Sequence, residues 1–256
     1  MTGLWAARMP ERKAAAGLPL SEPSVREQLI AEMGAALDDS FDAGPIVDGE
    51  MTSGGDSASL VTCPHDRRER IGTVHITTPE QGDAAIACAA GASLSWDRMG
   101  GPARAEILEA AADLFERDRA RLMAVIVREA GKTLDAAQGD VREAVDFLRY
   151  YAVQARRLFS GPVELKGPTG ERNTLTLRGR GVFACISPWN FPLAIFTGQI
   201  SAALAAGNAV LSKPAAQTPL ISHLAIRPLH EAGVPKTALH PPPAPAQVGP
   251  APPPHP

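Results

Sequence analysis

CISPWNFPLAIF (residues 185–196) and, shortly after it, GNAVLSKPAAQTPL (residues 207–220) decide the fold. Gly181–Ile186 is an apolar run of strand length that ends at Pro188. Phe191–Ala206 then reads as an almost wholly apolar helix, closed by the pair Gly207-Asn208. Ala209–Ser212 is a second buried strand, and Thr218-Pro219 opens a further helix that Gly233 closes. The order β-α-β-α predicts an α/β chain with a truncated, Rossmann-like parallel sheet. Only two such units fit. Beyond Leu239 the sequence HPPPAPAQVGPAPPPHP can build neither a core nor a central strand, so the two strands are expected to lack neighbours on one side.

Upstream of that sheet the period changes from strand to helix. SEPSVREQLIAEMGAAL predicts a short helix capped by Ser21 or Ser24, with Val25, Leu29 and Met33 on one face. Ser59–Val61 and Ile71–Ile76 read as strands joined through Asp66–Arg70. Thr78-Pro79-Glu80 is a helix start, with threonine as N-cap, and that helix is expected to reach about Ala90. A second helix begins near Ala103, with Ile107, Leu108, Ala111, Leu114 and Phe115 on one face. Arg104, Glu109, Arg117 and Arg119 are placed on the other. Met123–Val127 continues a buried helix to Gly131, and Val141, Val145, Leu148, Ala152 and Ala155 mark a third. Thr174–Leu177 alternates like a strand.

Composition sets limits on function. The 256 residues are 45% hydrophobic and 21% charged, and the net charge of -3 gives no reason to expect nucleic acid as a partner. The start lacks the apolar segment of a secretory signal, and no run approaches the ~20 apolar residues of a membrane helix. Cys63, Cys88 and Cys185 form no disulfide ladder, which suits a reducing compartment, so the expectation is cytoplasmic with no membrane insertion.

The chemistry-bearing candidates gather where strands end. A strand feeding a helix through Ser187-Pro188-Trp189-Asn190 puts Asn190 at the carboxyl end of the sheet, where open α/β folds bind ligands. Its side-chain amide can donate to a developing oxyanion; the alternative is a rigid loop whose Trp189 plugs the core. Lys213 ends the next strand and can reach ribose hydroxyls or a phosphate, or is simply a solvated lysine. AGKT at Ala130–Thr133 fails as a phosphate loop, because Ile126 stands where the first glycine is required. Cys63 and His65 share a loop ahead of His75, but with no fourth ligand and no zinc spacing they read as surface groups, and no metal is expected. The terminal prolines could adopt polyproline II, yet they lack a flanking basic anchor.

The stretch CISPWNFPLAIFTGQISAALAAGNAVLSKPAAQTPL resembles the start of the dinucleotide-binding domain of aldehyde dehydrogenases. VREAGKTL, VREAVDFLRYYAVQARRLF and GPTGERNTLTLRGRGVFACISPWNFPLAIFTGQ are most similar to the L-glutamate-γ-semialdehyde (1-pyrroline-5-carboxylate) dehydrogenase module of bifunctional proline-utilisation proteins. MPERKAAAGLPLSEPSVREQL is similar to the connector preceding that module. The resemblance runs from about Met9 to Leu239. It implies NAD as cofactor and a small-molecule aldehyde as substrate. Carried over by residue, it implies Asn190 as oxyanion donor, and Ile186, Ser187, Pro188 and Trp189 lining the cofactor cleft. It also implies Lys213 on the adenosine ribose, and Phe191 and Glu129 near the aldehyde. One departure is visible: Ala216 stands where the family usually has a second, acidic ribose ligand.

In the family the nucleophilic cysteine, the glutamate base and the glycine motif facing the pyrophosphate all follow the Lys-Pro-Ala segment. No counterpart is read here, and Cys185 lies inside a strand as a small buried hydrophobe. The resulting expectation is an amino-terminal fragment of the oxidoreductase, inactive alone. Its organisation is a connector over 1–45, the dehydrogenase part over 46–239 and a disordered proline-rich tail over 240–256, read out of frame from about His240. The competing expectation is a non-catalytic module that forms a homo-oligomer or pairs with a full-length homologue.

Overall fold

The computed structural model describes residues 12–36, 41–44, 46–47, 50–51 and 58–240. The proline-rich tail beyond His240 and the proposed change of frame there lie outside the described residues. In chain order the elements begin with α1 (Pro23–Ala35), β1 (Phe41–Ala43), β2 (Ile46–Val47), β3 (Glu50–Met51), β4 (Ala58–Thr62) and β5 (Arg70–His75). Helices α2 (Pro79–Arg98), α3 (Gly101–Arg117), α4 (Arg119–Ala130) and α5 (Leu134–Leu158) follow. The hairpin β6 (Val163–Leu165) and β7 (Asn173–Leu175) leads to β8 (Val182–Ile186), α6 (Ala194–Ala205), β9 (Ala209–Lys213), α7 (Pro219–Glu231) and β10 (Leu239–His240).

The second half forms the parallel sheet that its period predicts, in the order β10-β9-β8. The expectation of only two strands is corrected. Val210 N–H donates to Ala238 O at 2.8 Å and Ser212 Oγ to His240 O at 3.0 Å, which seats β10 beside β9. His240 is therefore wholly buried in a strand rather than the first residue of a tail. Strand β8 takes the open edge, and Phe183 and Ile186 stay exposed on it, unlike the two-sided burial usual for parallel strands.

Helices α2 and α6 pack on β8 and β9, and α5 lies against α3, α4 and α6. The Thr78 start holds as a capping box: Thr78 Oγ1 accepts from Gln81 N–H, and Gln81 Oε1 accepts from Thr78 N–H. That helix runs to Arg98, well past Ala90, because Ala85, Ala89, Ala92 and Trp96 keep one buried stripe. Its end is held by Arg104, which is buried rather than on a polar face. The Arg104 guanidinium donates to Trp96 O, Asp97 O and Ala205 O, satisfying the last carbonyls of both α2 and α6. Near the start, Glu22 and not a serine is the N-cap of α1, and its side chain makes no cap bond. Helix α6 begins at Ala194, three residues later than its apolar pattern suggests, because Pro192 belongs to the turn before it.

Two contacts fix the approach of β8 to β9. Gly207, at φ 90°, ends α6, and a Cβ on Gly179 would stand 2.3 Å from Gly207 O, so the backbones meet where no side chain fits. Asn208 then accepts from Arg180 N–H and Gly181 N–H with its Oδ1 and donates to Ala203 O. The stretch before α1 is docked as well: Ala15 N–H donates to Asp146 and Leu18 N–H to Gln138 on α5.

Candidate functional site

The carboxyl ends of β8 and β9 lie side by side, with Ile186 in register with Lys213. Ser187 N–H donates to Lys213 O at 2.9 Å and extends the ladder by one bond. The chain then leaves the sheet through Pro188, Trp189 and Asn190. Trp189 is 55% exposed, so the alternative in which it plugs the core is corrected. Asn190 is exposed beside it. Lys213 is half-buried, and Ser187 is buried with its hydroxyl unpartnered among the described residues. Ile186, Ser187, Trp189, Asn190 and Lys213 therefore occupy one edge, as their spacing anticipates.

The far end of the loop is pinned by groups that the sequence reading missed. Asp140, on α5, accepts the Ala194 N–H at the first residue of α6 at 2.7 Å. Lys132 Nζ lies 2.8 Å from the other Asp140 oxygen and 4.3 Å from the centroid of the Phe191 ring. Phe191, next to Asn190, is thus backed by a cation that is itself fixed by a buried carboxylate. Burial pushes the Asp140 carboxyl up, while Lys132 and the Ala194 amide pull the other way. The missed signal was a charged residue on an apolar stripe: Asp140 falls between Ala137 and Ala144, both buried. Lys132 stands in the sequence only as part of a failed phosphate loop.

Glu129 has a defined task in the fold. Its carboxylate is buried at the end of α4 and accepts from Leu220 N–H at 2.7 Å and Ile221 N–H at 2.9 Å. It caps α7, whose own Thr218 makes no side-chain cap. Burial pushes this carboxyl up to about 8, against the two amide bonds that favour its ionised form. Ser222 Oγ lies 3.4 Å from Pro192 O, a further tie from α7 to the Asn190 loop.

The helices that follow β8 and β9 are therefore each capped at the amino end by a carboxyl group from another helix, α6 by Asp140 of α5 and α7 by Glu129 of α4. At both helix starts, amides that would face a phosphate in an ordinary dinucleotide fold already donate to these side chains. What the edge offers a ligand is the half-buried Lys213 side chain and the open face of Ile186, while the Ser187 hydroxyl is buried beneath it. Cys185 lies beneath this edge with its thiol pushed up to about 11 by burial, which keeps it protonated at neutral pH.

Residues 51–250 match the aldehyde dehydrogenase family. The bifunctional protein PutA of Escherichia coli strain K12 is 42% identical over 228 residues, 88% of this chain and 16% of that protein. The 1-pyrroline-5-carboxylate dehydrogenase of Geobacillus thermodenitrificans is 39% identical over 196 residues, 76% of this chain and 38% of that enzyme. Among solved structures, 1-pyrroline-5-carboxylate dehydrogenase from Thermus with bound NAD superposes with a TM-score of 0.85 at 28% identity. That superposition covers 91% of this chain and 45% of the Thermus chain. The chain thus spans less than half the length of each of these relatives.

Proposed function

This chain belongs to the aldehyde dehydrogenase family, and from that premise we propose that it serves the NAD-dependent oxidation of L-glutamate γ-semialdehyde to glutamate. The observation that carries this reading is the Asn190 loop, tied to β9 through Ser187 and to α5 through Ala194. Held at both ends, the loop presents the exposed Asn190 amide above the sheet edge. There it donates to the aldehyde oxygen as that oxygen gains negative charge.

NAD, when bound, accepts the hydride. Lys213 would hold the adenosine ribose, and Ile186, Ser187, Pro188 and Trp189 would line the cofactor cleft. Phe191 flanks the aldehyde, its ring oriented by Lys132 on one side. Glu129 contributes by holding α7, since both its oxygens are engaged there. None of the three cysteines is assigned as nucleophile, and the chain is assigned as inactive alone. Its free thiols suit the cytoplasm, where we place it.

A chimera tests this reading. Residues 58–240 replace the matching stretch of the Geobacillus enzyme, and oxidation of 1-pyrroline-5-carboxylate is followed by NADH formation. The chimera is expected to turn over, and Asn190→Ala within it to lower kcat about 100-fold, the usual loss for one oxyanion donor. A folded chimera indifferent to Asn190→Ala would remove the residue from this role.

A second reading, pairing with an intact homologous subunit, is favoured by the β6–β7 hairpin. Its Val163, Leu165 and Leu175 are about half exposed, and a lone hairpin is marginal in water. Co-elution with a full-length relative tests it.

A further inference from the structure

We propose that Cys63, His65 and Glu69 form a binding site for a divalent cation of the zinc class at the tip of the β4–β5 hairpin. The thiol, an imidazole nitrogen and a carboxylate oxygen of these residues lie within 4.8 Å of one another, the one such group of three among the described residues. His65 Nε2 is 3.7 Å from Cys63 Sγ and 3.9 Å from Glu69 Oε2. Zinc bonds of about 2.0–2.3 Å set ligand–ligand edges of roughly 3.3–3.6 Å in a tetrahedron, so the two edges to His65 need a contraction of a few tenths of an ångström and the sulfur–carboxylate edge, within 4.8 Å, up to about an ångström.

The hairpin itself holds the ligands. Cys63 N–H donates to Glu69 O at 3.0 Å, bringing the first and last ligand residues together, and Glu69 N–H donates to Asp66 O at 2.9 Å. Asp66 is not a fourth ligand, because both its oxygens face Arg68. The other oxygen of Glu69 is ion-paired with Arg128 of α4, an outer bond of the kind that orients a ligating carboxylate. Arg128 also limits affinity, since its charge opposes a second cation nearby.

Cys63 is fully buried, whereas the His65 side chain is 69% exposed. The site is therefore closed on the sulfur side and open to water on the other, leaving the fourth position to solvent. Thiolate and imidazole donors favour zinc or cobalt over magnesium or calcium. On binding, the Cys63 sulfur–hydrogen bond is replaced by a sulfur–metal bond and the proton passes to solvent, with no change of oxidation state. The loaded site would fasten the hairpin tip to α4 through Glu69 and Arg128. The expectation that no metal binds weighs Cys63 and His65 with His75 and finds no fourth ligand. Glu69 joins them only because the hairpin turns back.

The test titrates the metal-free 256-residue chain, in a Cys88→Ser background, with cobalt(II) and then zinc(II). Expected is a thiolate-to-cobalt absorption that saturates at one equivalent, shows tetrahedral visible bands and is displaced by zinc. It should vanish in Cys63→Ser. In His65→Ala, at an exposed position, affinity should fall by more than about tenfold while helix content by circular dichroism stays unchanged. No thiolate absorption, or absorption that persists in Cys63→Ser or keeps its affinity in His65→Ala, overturns the proposal. The 2.8 Å contact between Cys63 Sγ and His65 Nδ1 is then a thiol–imidazole hydrogen bond and nothing more.

Discussion

Asp140 accepts the backbone N–H of Ala194 at 2.7 Å, and through that one bond α5 sets where the Asn190 loop ends and α6 begins. The carboxylate has no exposed side-chain surface, and Lys132, itself largely buried, balances it at 2.8 Å. A buried ion pair of this kind is weak evidence for stability in itself. Its value here is geometric, because each charge fixes a different point of the same loop.

Removing Asp140 strands the Lys132 ammonium and the Ala194 amide together. Asp140→Ala is expected to cost about 3–5 kcal/mol, the usual loss when one partner of a buried pair is deleted. Asp140→Asn keeps an oxygen for Ala194 and should recover part of that loss. Urea denaturation of the two variants checks this; an Asp140→Ala chain within about 1 kcal/mol of the parent would show that the pair holds nothing.

Glu129 makes stability depend on pH. Its carboxyl rises from 4.5 to about 8 in the folded chain, so between these values the native state binds the proton and the unfolded state does not. Stability is then greatest below about 4.5, falls as pH rises towards 8 and levels off above it. Glu129→Gln cannot ionise and should flatten this slope. At the acid end, where the parent carboxyl is protonated, it should lose about 1 kcal/mol, since an amide has one acceptor oxygen for the two α7 amides, and that deficit should shrink and reverse as pH rises towards 8. Urea midpoints across pH 5–9 measure both effects. Parallel curves for parent and variant would mean that the Leu220 and Ile221 bonds keep Glu129 ionised throughout.

The fold was legible where one period dominates a segment. The apolar run to Ile186, the Thr78 cap and the stripe of α5 all predict elements that form. Reading faltered where a polar side chain serves another element's backbone. Arg104 has the sequence appearance of a solvated arginine, yet it caps the end of α2 just before it and the end of α6, 101 residues away. Glu129 likewise caps a helix 91 residues away, and only the tertiary packing of α4 on α7 reveals it. The same limit hid the Asp140–Lys132 pair, while the sheet-edge residues Ile186 to Asn190 and Lys213 could be placed from strand ends alone.

Ala216 offers a gain of function. It is exposed three residues beyond Lys213, at the position where the family resemblance implies an acidic ribose ligand. A carboxylate there would add a charge-assisted hydrogen bond of about 1.5–3 kcal/mol to a ribose hydroxyl. Ala216→Glu should therefore tighten NAD binding by roughly 10–100-fold in calorimetric titration, and Lys213→Ala should weaken it. Unchanged affinity in both variants would place the ribose elsewhere on the edge.

The purified chain is expected to reduce no NAD when given 1-pyrroline-5-carboxylate. Hydride leaves an aldehyde carbon only after a nucleophile has added to it, and in this family that nucleophile is a cysteine thiolate. Cys63 is fully buried at the β4–β5 hairpin, away from the sheet edge, and Cys185 keeps its proton with a thiol pushed up to about 11. Cys88 sits within α2, whose start and end are both used for packing and capping. Asn190 can stabilise an oxyanion but cannot create one. NADH formation is measured spectrophotometrically against a mock purification and against the Asn190→Ala chain. Turnover above the mock that disappears in Asn190→Ala would show that one of these three cysteines, or another nucleophile, reaches the aldehyde, and the assignment of the chain as inactive alone would have to be withdrawn.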